Sequence, residues 1–171
     1  MLNRRPASRR ARGFTLIELL VVIAIVAVGM ALAAPGVSSM VSTRKVQNAA
    51  QSIVDGLNFA RAEAVRRNTA VNFVLRSDFT GWDVTQASDG SSLQGFSSSD
   101  WKTMSMSAAN SALTATFLAT GVLSTTGTQL SQVNIVSLGG NDTTRRVNVF
   151  GGGLIRMCDP GVSAANDPRR C

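Results

Sequence analysis

Residues Arg12–Val28 read RGFTLIELLVVIAIVAV. From Leu19 to Ala34 no charged or strongly polar residue occurs, and Phe14 to Ile17 extend the largely apolar run upstream. About 20 apolar residues at 1.5 Å rise each span a bilayer core, so the stretch reads as a membrane segment. Glu18 lies almost at its start. A charged side chain at membrane depth costs at least ~2.5–3.5 kcal/mol, and a plain anchor leaves that cost unexplained. A secretory signal peptide fits the basic front and the A-x-A-like Ala31-Leu32-Ala33, but its apolar region would be long and Glu18 equally out of place. Ser8-Arg9-Arg10 also allows a twin-arginine signal.

Charge is concentrated upstream of this segment. The 171 residues carry 17 basic and 10 acidic side chains, a net charge of +7. Arg4, Arg5, Arg9, Arg10 and Arg12 all precede Gly13, where there are no acids. Without them 12 basic residues face 10 acidic ones, a net charge of +2. The basic character is thus mainly a leader property and not a general nucleic-acid surface. It should hold the N-terminus in the cytoplasm and place the rest of the chain across the membrane.

Beyond Pro35-Gly36 the chain turns polar but keeps helical spacing. Val46, Ala50, Ile53, Leu57, Ala60 and Ala64 recur at intervals of four and three, one apolar face of an amphipathic helix that Asn68-Thr69 ends. A kink or local melting is expected at Pro35-Gly36. From Ala70 the period becomes two: Val71, Phe73 and Leu75 mark a strand, with Gly81–Val84 as its hairpin partner and residues 77–80 as the turn. Ala87–Asp100, rich in Ser, Gly and Asp, reads as a loop. Further strands are expected at 102–107, 113–118, 132–136, 146–150 and 154–157. A long helix followed by short strands gives an α+β class, with antiparallel sheet against the helix's apolar face.

The leader Gly13-Phe14-Thr15-Leu16-Ile17-Glu18, behind a short basic stretch and ahead of an unbroken apolar run, resembles the class III leader of type IV pilins and type II secretion pseudopilins. Pro35 falls near where many of these proteins have a helix-kinking proline. The segment Phe59-Ala60-Arg61-Ala62-Glu63-Ala64-Val65-Arg66-Arg67-Asn68, then Val71–Leu75 and Gly81-Trp82-Asp83-Val84, is similar to the GspH/FimT group. Phe117, Gly121 and Arg145 through Gly153 to Cys158 continue the likeness. That group contains minor pilins of the FimU and FimT type and a minor pseudopilin of type II secretion.

The resemblance implies a pilin-like fold in four parts. Residues 1–13 would be a basic leader, 14–36 a transmembrane and filament-core helix half, 37–68 an amphipathic half, and 69–171 a β-rich globular domain. It implies that a prepilin peptidase cuts between Gly13 and Phe14 and methylates the new Phe14 amine. That amine, on an incoming subunit, could meet Glu18 of its neighbour and offset the cost of the buried carboxylate. The implied partners are the peptidase, the inner membrane, and other minor and major pilins in a hetero-oligomeric filament. A single-pass inner-membrane protein with a periplasmic domain, later part of a pilus or pseudopilus, is the expected location. At or near the pilus tip such a subunit would help to prime assembly.

Little suggests catalysis. Histidine and tyrosine are absent, so the usual neutral-pH acid–base group is missing. Gly151-Gly152-Gly153 lacks the Lys-Ser/Thr of a phosphate loop, and the aspartates lack EF-hand spacing. Ser42-Thr43-Arg44-Lys45 and Ser99-Asp100-Trp101-Lys102 spell Ser-x-x-Lys without the companion elements that give it meaning. Trp82, Trp101, Met104 and Met106 read as core residues. No enzyme activity, cofactor or metal is expected. Two cysteines without histidine make a poor zinc site, and behind an export segment Cys158 and Cys171 read as a disulfide. DNA-binding relatives use a C-terminal Gly-Arg-x-Arg. Gly153-Leu154-Ile155-Arg156 replaces the first arginine by leucine, leaving Arg156, Arg169 and Arg170 as candidate DNA contacts.

Overall fold

The structure, a computed structural model, describes residues 13–138 and 143–171, and for residues 33–37 the backbone alone. The basic leader before Gly13 and the side chain of Pro35 lie outside what is described. The chain divides into two compact units, residues 1–38 and 39–171.

Helix α1 runs Leu16–Arg67. The expected melting at Pro35-Gly36 does not occur, since the helical backbone is unbroken there. The helix stops at Asn68, whose φ of 51° is left-handed. Asn68 N–H donates to Val65 O at 3.3 Å and Thr69 N–H to Ala64 O at 3.2 Å. These two bonds form a Schellman cap, which satisfies carbonyls the helix end would otherwise leave bare.

Eight strands follow: β1 Val71–Leu75, β2 Gly81–Gln86, β3 Ser92–Ser97, β4 Met104–Ala108, β5 Thr114–Phe117, β6 Gln132–Ser137, β7 Thr144–Val149 and β8 Ile155–Cys158. They form two four-stranded sheets, the first ordered β3-β2-β1-β5 and the second β4-β6-β7-β8, and every neighbouring pair is antiparallel. The expected loop over residues 87–100 is corrected. It holds β3 and the start of a 3-10 turn, Ser99–Thr103, that also takes the first two residues of the strand expected at 102–107. Strand β3 is an edge strand with mostly exposed residues, so its backbone pairing with β2 leaves no alternation for a sequence to display.

The core is the apolar face of α1 clasped by the inner faces of both sheets. Val46, Ala50, Ile53, Leu57, Ala60 and Ala64 are all fully buried, together with Phe73 and Phe117 of the first sheet and Val133, Ile135 and Val147 of the second. Trp82 and Trp101 are also interior. Gly56 lets the helix approach the first sheet: a Cβ there would stand 2.8 Å from ring atoms of both Phe73 and Trp82. The Trp82 indole N–H donates to Ser52 Oγ at 3.0 Å, so the buried ring keeps its hydrogen bond.

Candidate assembly and docking sites

Among the described residues of the N-terminal unit no side chain is buried. Thirteen large apolar side chains between Phe14 and Leu32 are exposed, from Val26 at 47% to Phe14 at 82%, and they point to every side of α1. A helix apolar all round is stable only when surrounded by protein or lipid. At roughly 1.5–3 kcal/mol per buried side chain, covering these residues is worth on the order of 20 kcal/mol. Among the described residues no helix is long and apolar enough to cross a membrane.

The start of this helix is built by Thr15, a residue the sequence reading passed over. Its Oγ1 accepts the Glu18 N–H at 3.2 Å, and its carbonyl accepts the Leu19 N–H at 3.2 Å. Thr15 is the N-cap, and Thr15-Leu16-Ile17-Glu18 has the Ser/Thr-x-x-Glu spacing of a capping box, a legible signal. Glu18 therefore occupies the first turn, where the helix dipole favours an anion. It is exposed, and no described residue bonds its carboxylate. Gly13 precedes the cap in open space: an added Cβ would meet nothing within 4 Å, and its φ is not left-handed. The same emptiness surrounds Gly29 in mid-helix. Neither glycine is required by the fold.

The C-terminal candidates meet in a second place. Cys158 and Cys171 are disulfide-bonded with Cα atoms 5.0 Å apart. The closed tail lies beside β8: Asp159 bridges Arg170, and the Asp159 N–H donates to Arg169 O at 2.6 Å. Arg156 Nη2 donates to Arg170 O at 2.9 Å and Pro168 O at 3.3 Å. Arg169 forks onto Asp167 at 2.7 and 3.0 Å, which holds that carboxyl down at about 2. Arg145, on the inner side of β7, pairs with Asp159 at 2.6 Å. These bonds bring Arg156, Arg169 and Arg170 together and spend Arg156 Nη2 and the Arg169 fork on the tail itself. Between the tail and Gln47, Asn48 and Gln51 of α1 lies an open cleft of about 490 Å³.

A third cluster went unread in the sequence. Glu63 is 8% exposed and takes a fork from Arg66 at 2.6 and 2.8 Å and one bond from Arg67 at 2.7 Å. The Arg66 hydrogen bonds, then that of Arg67, hold its carboxyl at about 2. The spacing of three and four residues was the available signal. Among the described residues no group of acids, histidines or cysteines could hold a metal ion.

Comparison with known proteins decides what the helix start and the double sheet amount to. Residues 8–34 match the model of the prokaryotic N-terminal methylation motif, and residues 49–153 match that of the family described as Type II transport protein GspH. The chain belongs to this family. It is accordingly a minor pilin or pseudopilin. Among solved structures it is similar to the type IV minor pilin FimU of Pseudomonas aeruginosa in two crystal forms. One has 22% identity over 70% of this chain and 97% of that one, TM-score 0.55; the other has 21% over 71% and 94%, TM-score 0.59. The minor pseudopilin EpsH from the Type 2 Secretion System of Vibrio cholerae matches at 18% over 69% of this chain and 99% of that one, TM-score 0.52. These likenesses establish the α+β pilin fold. No curated protein is a significant match.

Proposed function

We propose that this family member is a minor pilin, placed at or near the tip of a type IV pilus, where it helps to prime assembly after prepilin peptidase processing. The observation that carries the reading is the N-terminal helix: apolar on every side, uncovered in the single chain, and led by a capped Glu18 whose carboxylate has no described partner. Cleavage between Gly13 and Phe14 makes Phe14 the new terminus, one helical turn before Glu18. Its amine, methylated and cationic, pairs with Glu18 of a neighbouring subunit, and the exposed apolar surface is buried in the bilayer first and in the filament afterwards. Pro35 lies within this filament-core half. The open surroundings of Gly13 support a requirement set by a peptidase, since folding makes no demand there.

The pilus is preferred over the secretion pseudopilus because the C-terminal end is closed covalently and laced by Arg156. A tail so held resists fraying and proteolysis on a filament that leaves the cell. DNA capture through Arg156, Arg169 and Arg170 is a weaker reading, because Asp167 already neutralises Arg169 and the Arg156 guanidinium is bonded to carbonyls. The test is to follow Glu18→Ala and Gly13→Leu in cells. The first should leave processing intact and remove the subunit from sheared surface filaments; the second should block processing. Normal incorporation of Glu18→Ala ends the assembly reading. A secretion defect with normal surface pili assigns the subunit to the pseudopilus instead.

A further inference from the structure

The two sheets turn faces of different charge to solvent. On the first, Arg76 forks onto Asp83 with both bonds at 2.8 Å, and the pair is neutral. On the second, β4, β6, β7 and β8 read MSMSA, QVNIVS, TRRVNV and IRMC, with no acidic and no aromatic residue. Register puts Ser107 beside Asn134, Asn134 beside Arg146, Gln132 beside Asn148, and Asn148 beside Arg156. Because Val133, Ile135, Val147 and Val149 of the same strands point into the core, this polar set faces outward.

The two arginines are pre-positioned. Arg146 Nε donates to Asn134 Oδ1 at 2.7 Å, and Gln132 Nε2 reaches the same oxygen at 3.4 Å. Arg156 is held by the tail carbonyls through Nη2 alone. A guanidinium has five N–H donors, so Arg146 keeps both Nη groups as the fork a carboxylate accepts, and Arg156 keeps its Nε–H and Nη1 hydrogens for single bonds.

We propose that this outer face of the second sheet docks an acid-bearing surface of a neighbouring, non-identical subunit in the filament. The inference rests on the filament reading above. A second copy of this chain is a poor fit, because five of its described carboxylates (Glu63, Asp83, Asp100, Asp159, Asp167) are paired with its own cations. Of the others in the globular unit, Asp78 and Asp89 are bonded within their own turns and Asp55 to Gln51. Nucleic acid is a poor fit as well. A face with two guanidinium groups and no aromatic ring offers neither the roughly 6–10 phosphate contacts nor the stacking that such binding uses. Four strands about 4.8 Å apart and four to six residues long give a face of roughly 300 Å². That is well below the ~800 Å² per partner of a self-standing interface. The occupant is therefore one already tethered alongside, as a helix-packed filament neighbour is.

Purified full-length processed chain would be titrated with each other pilin subunit of the same filament, all in matched detergent micelles, at low and high salt. One pair should weaken about tenfold or more with Arg146→Glu plus Arg156→Glu. Its affinity should also fall with salt and return when one partner carboxylate is changed to Lys. Arg146→Gln plus Arg156→Gln, checked for an unchanged urea midpoint, guards against misfolding, and Arg76→Glu on the first sheet should change nothing. Equal binding by wild type and both double variants overturns the proposal. So does a loss confined to self-association or to duplex DNA. Binding lost with Glu18→Ala but indifferent to the arginines overturns this inference alone, whereas wild type that binds no subunit overturns the filament reading with it.

Discussion

Arg61, in the last two turns of α1, donates its Nε–H to the backbone carbonyl of Gly121 at 2.9 Å. Gly153 packs on that same carbonyl with a φ of +79°, so closely that a Cβ would collide with the oxygen. One bond and one bare backbone thus tie the end of the helix, the turn after β5 and the β7–β8 hairpin together. Gly153→Ala adds both a left-handed strain and the collision, and should cost about 2–3 kcal/mol. The shift in urea midpoint of the processed chain in detergent measures it, and an unchanged midpoint contradicts the packing described.

Gly56→Ala sets two effects against each other. Helix propensity alone predicts a gain of about 1 kcal/mol. The new methyl, however, would lie 2.8 Å from buried rings of Phe73 and Trp82, which have no room to retreat. Overpacking costs about 1–3 kcal/mol and should win, lowering the melting temperature. A rise would mean that the helix can lift away from the sheet.

Acid should weaken the helix end. Glu63 is held at about 2 in the folded chain against an ordinary value of 4.5, through its bonds to Arg66 and Arg67. A depressed carboxyl contributes its full stability above the ordinary value. That contribution is lost as pH falls through the window from 4.5 to about 2. Glu63→Gln should flatten the stability-against-pH curve in that window and leave less stability at neutral pH. Parallel curves for variant and wild type would refute the assignment.

Cys171→Ser should loosen the tail without unfolding the sheets. Closing a loop with a sequence separation of 13 stabilises by roughly 3 kcal/mol at most. Hydrogen exchange should accelerate at the Asp159 amide, which now bonds to Arg169 O, while core amides such as those of β6 stay protected. Equal protection throughout the tail would show that the Arg156 lacing suffices alone.

The helix face and the strand alternation were open to reading because burial there follows a period: six α1 residues three and four apart, and Val71, Phe73 and Leu75 two apart, are all fully buried. Strand β3 was not, since its pairing is through backbone and most of its side chains face water. Division into two sheets depends on which strands pair across long separations, as β1 with β5, and no local pattern records that. At the N-terminus Glu18 stood out because a carboxylate in an apolar run is conspicuous. Thr15 did not, although its cap fixes where the helix begins. The lacing of Arg156 by carbonyls 168 and 170 involves main-chain acceptors, to which side-chain identity gives no clue.

The empty space around Gly29 and the uncovered run from Leu16 to Leu32 mean that α1 answers to two separate selections. Heat or urea reads the half that faces the sheets and passes over the other. A substitution such as Gly29→Leu should leave the melting curve of the globular unit where it was and still cripple the filament. A variant library screened for thermal stability alone would therefore keep assembly-dead subunits, and only a count of filaments would reveal them.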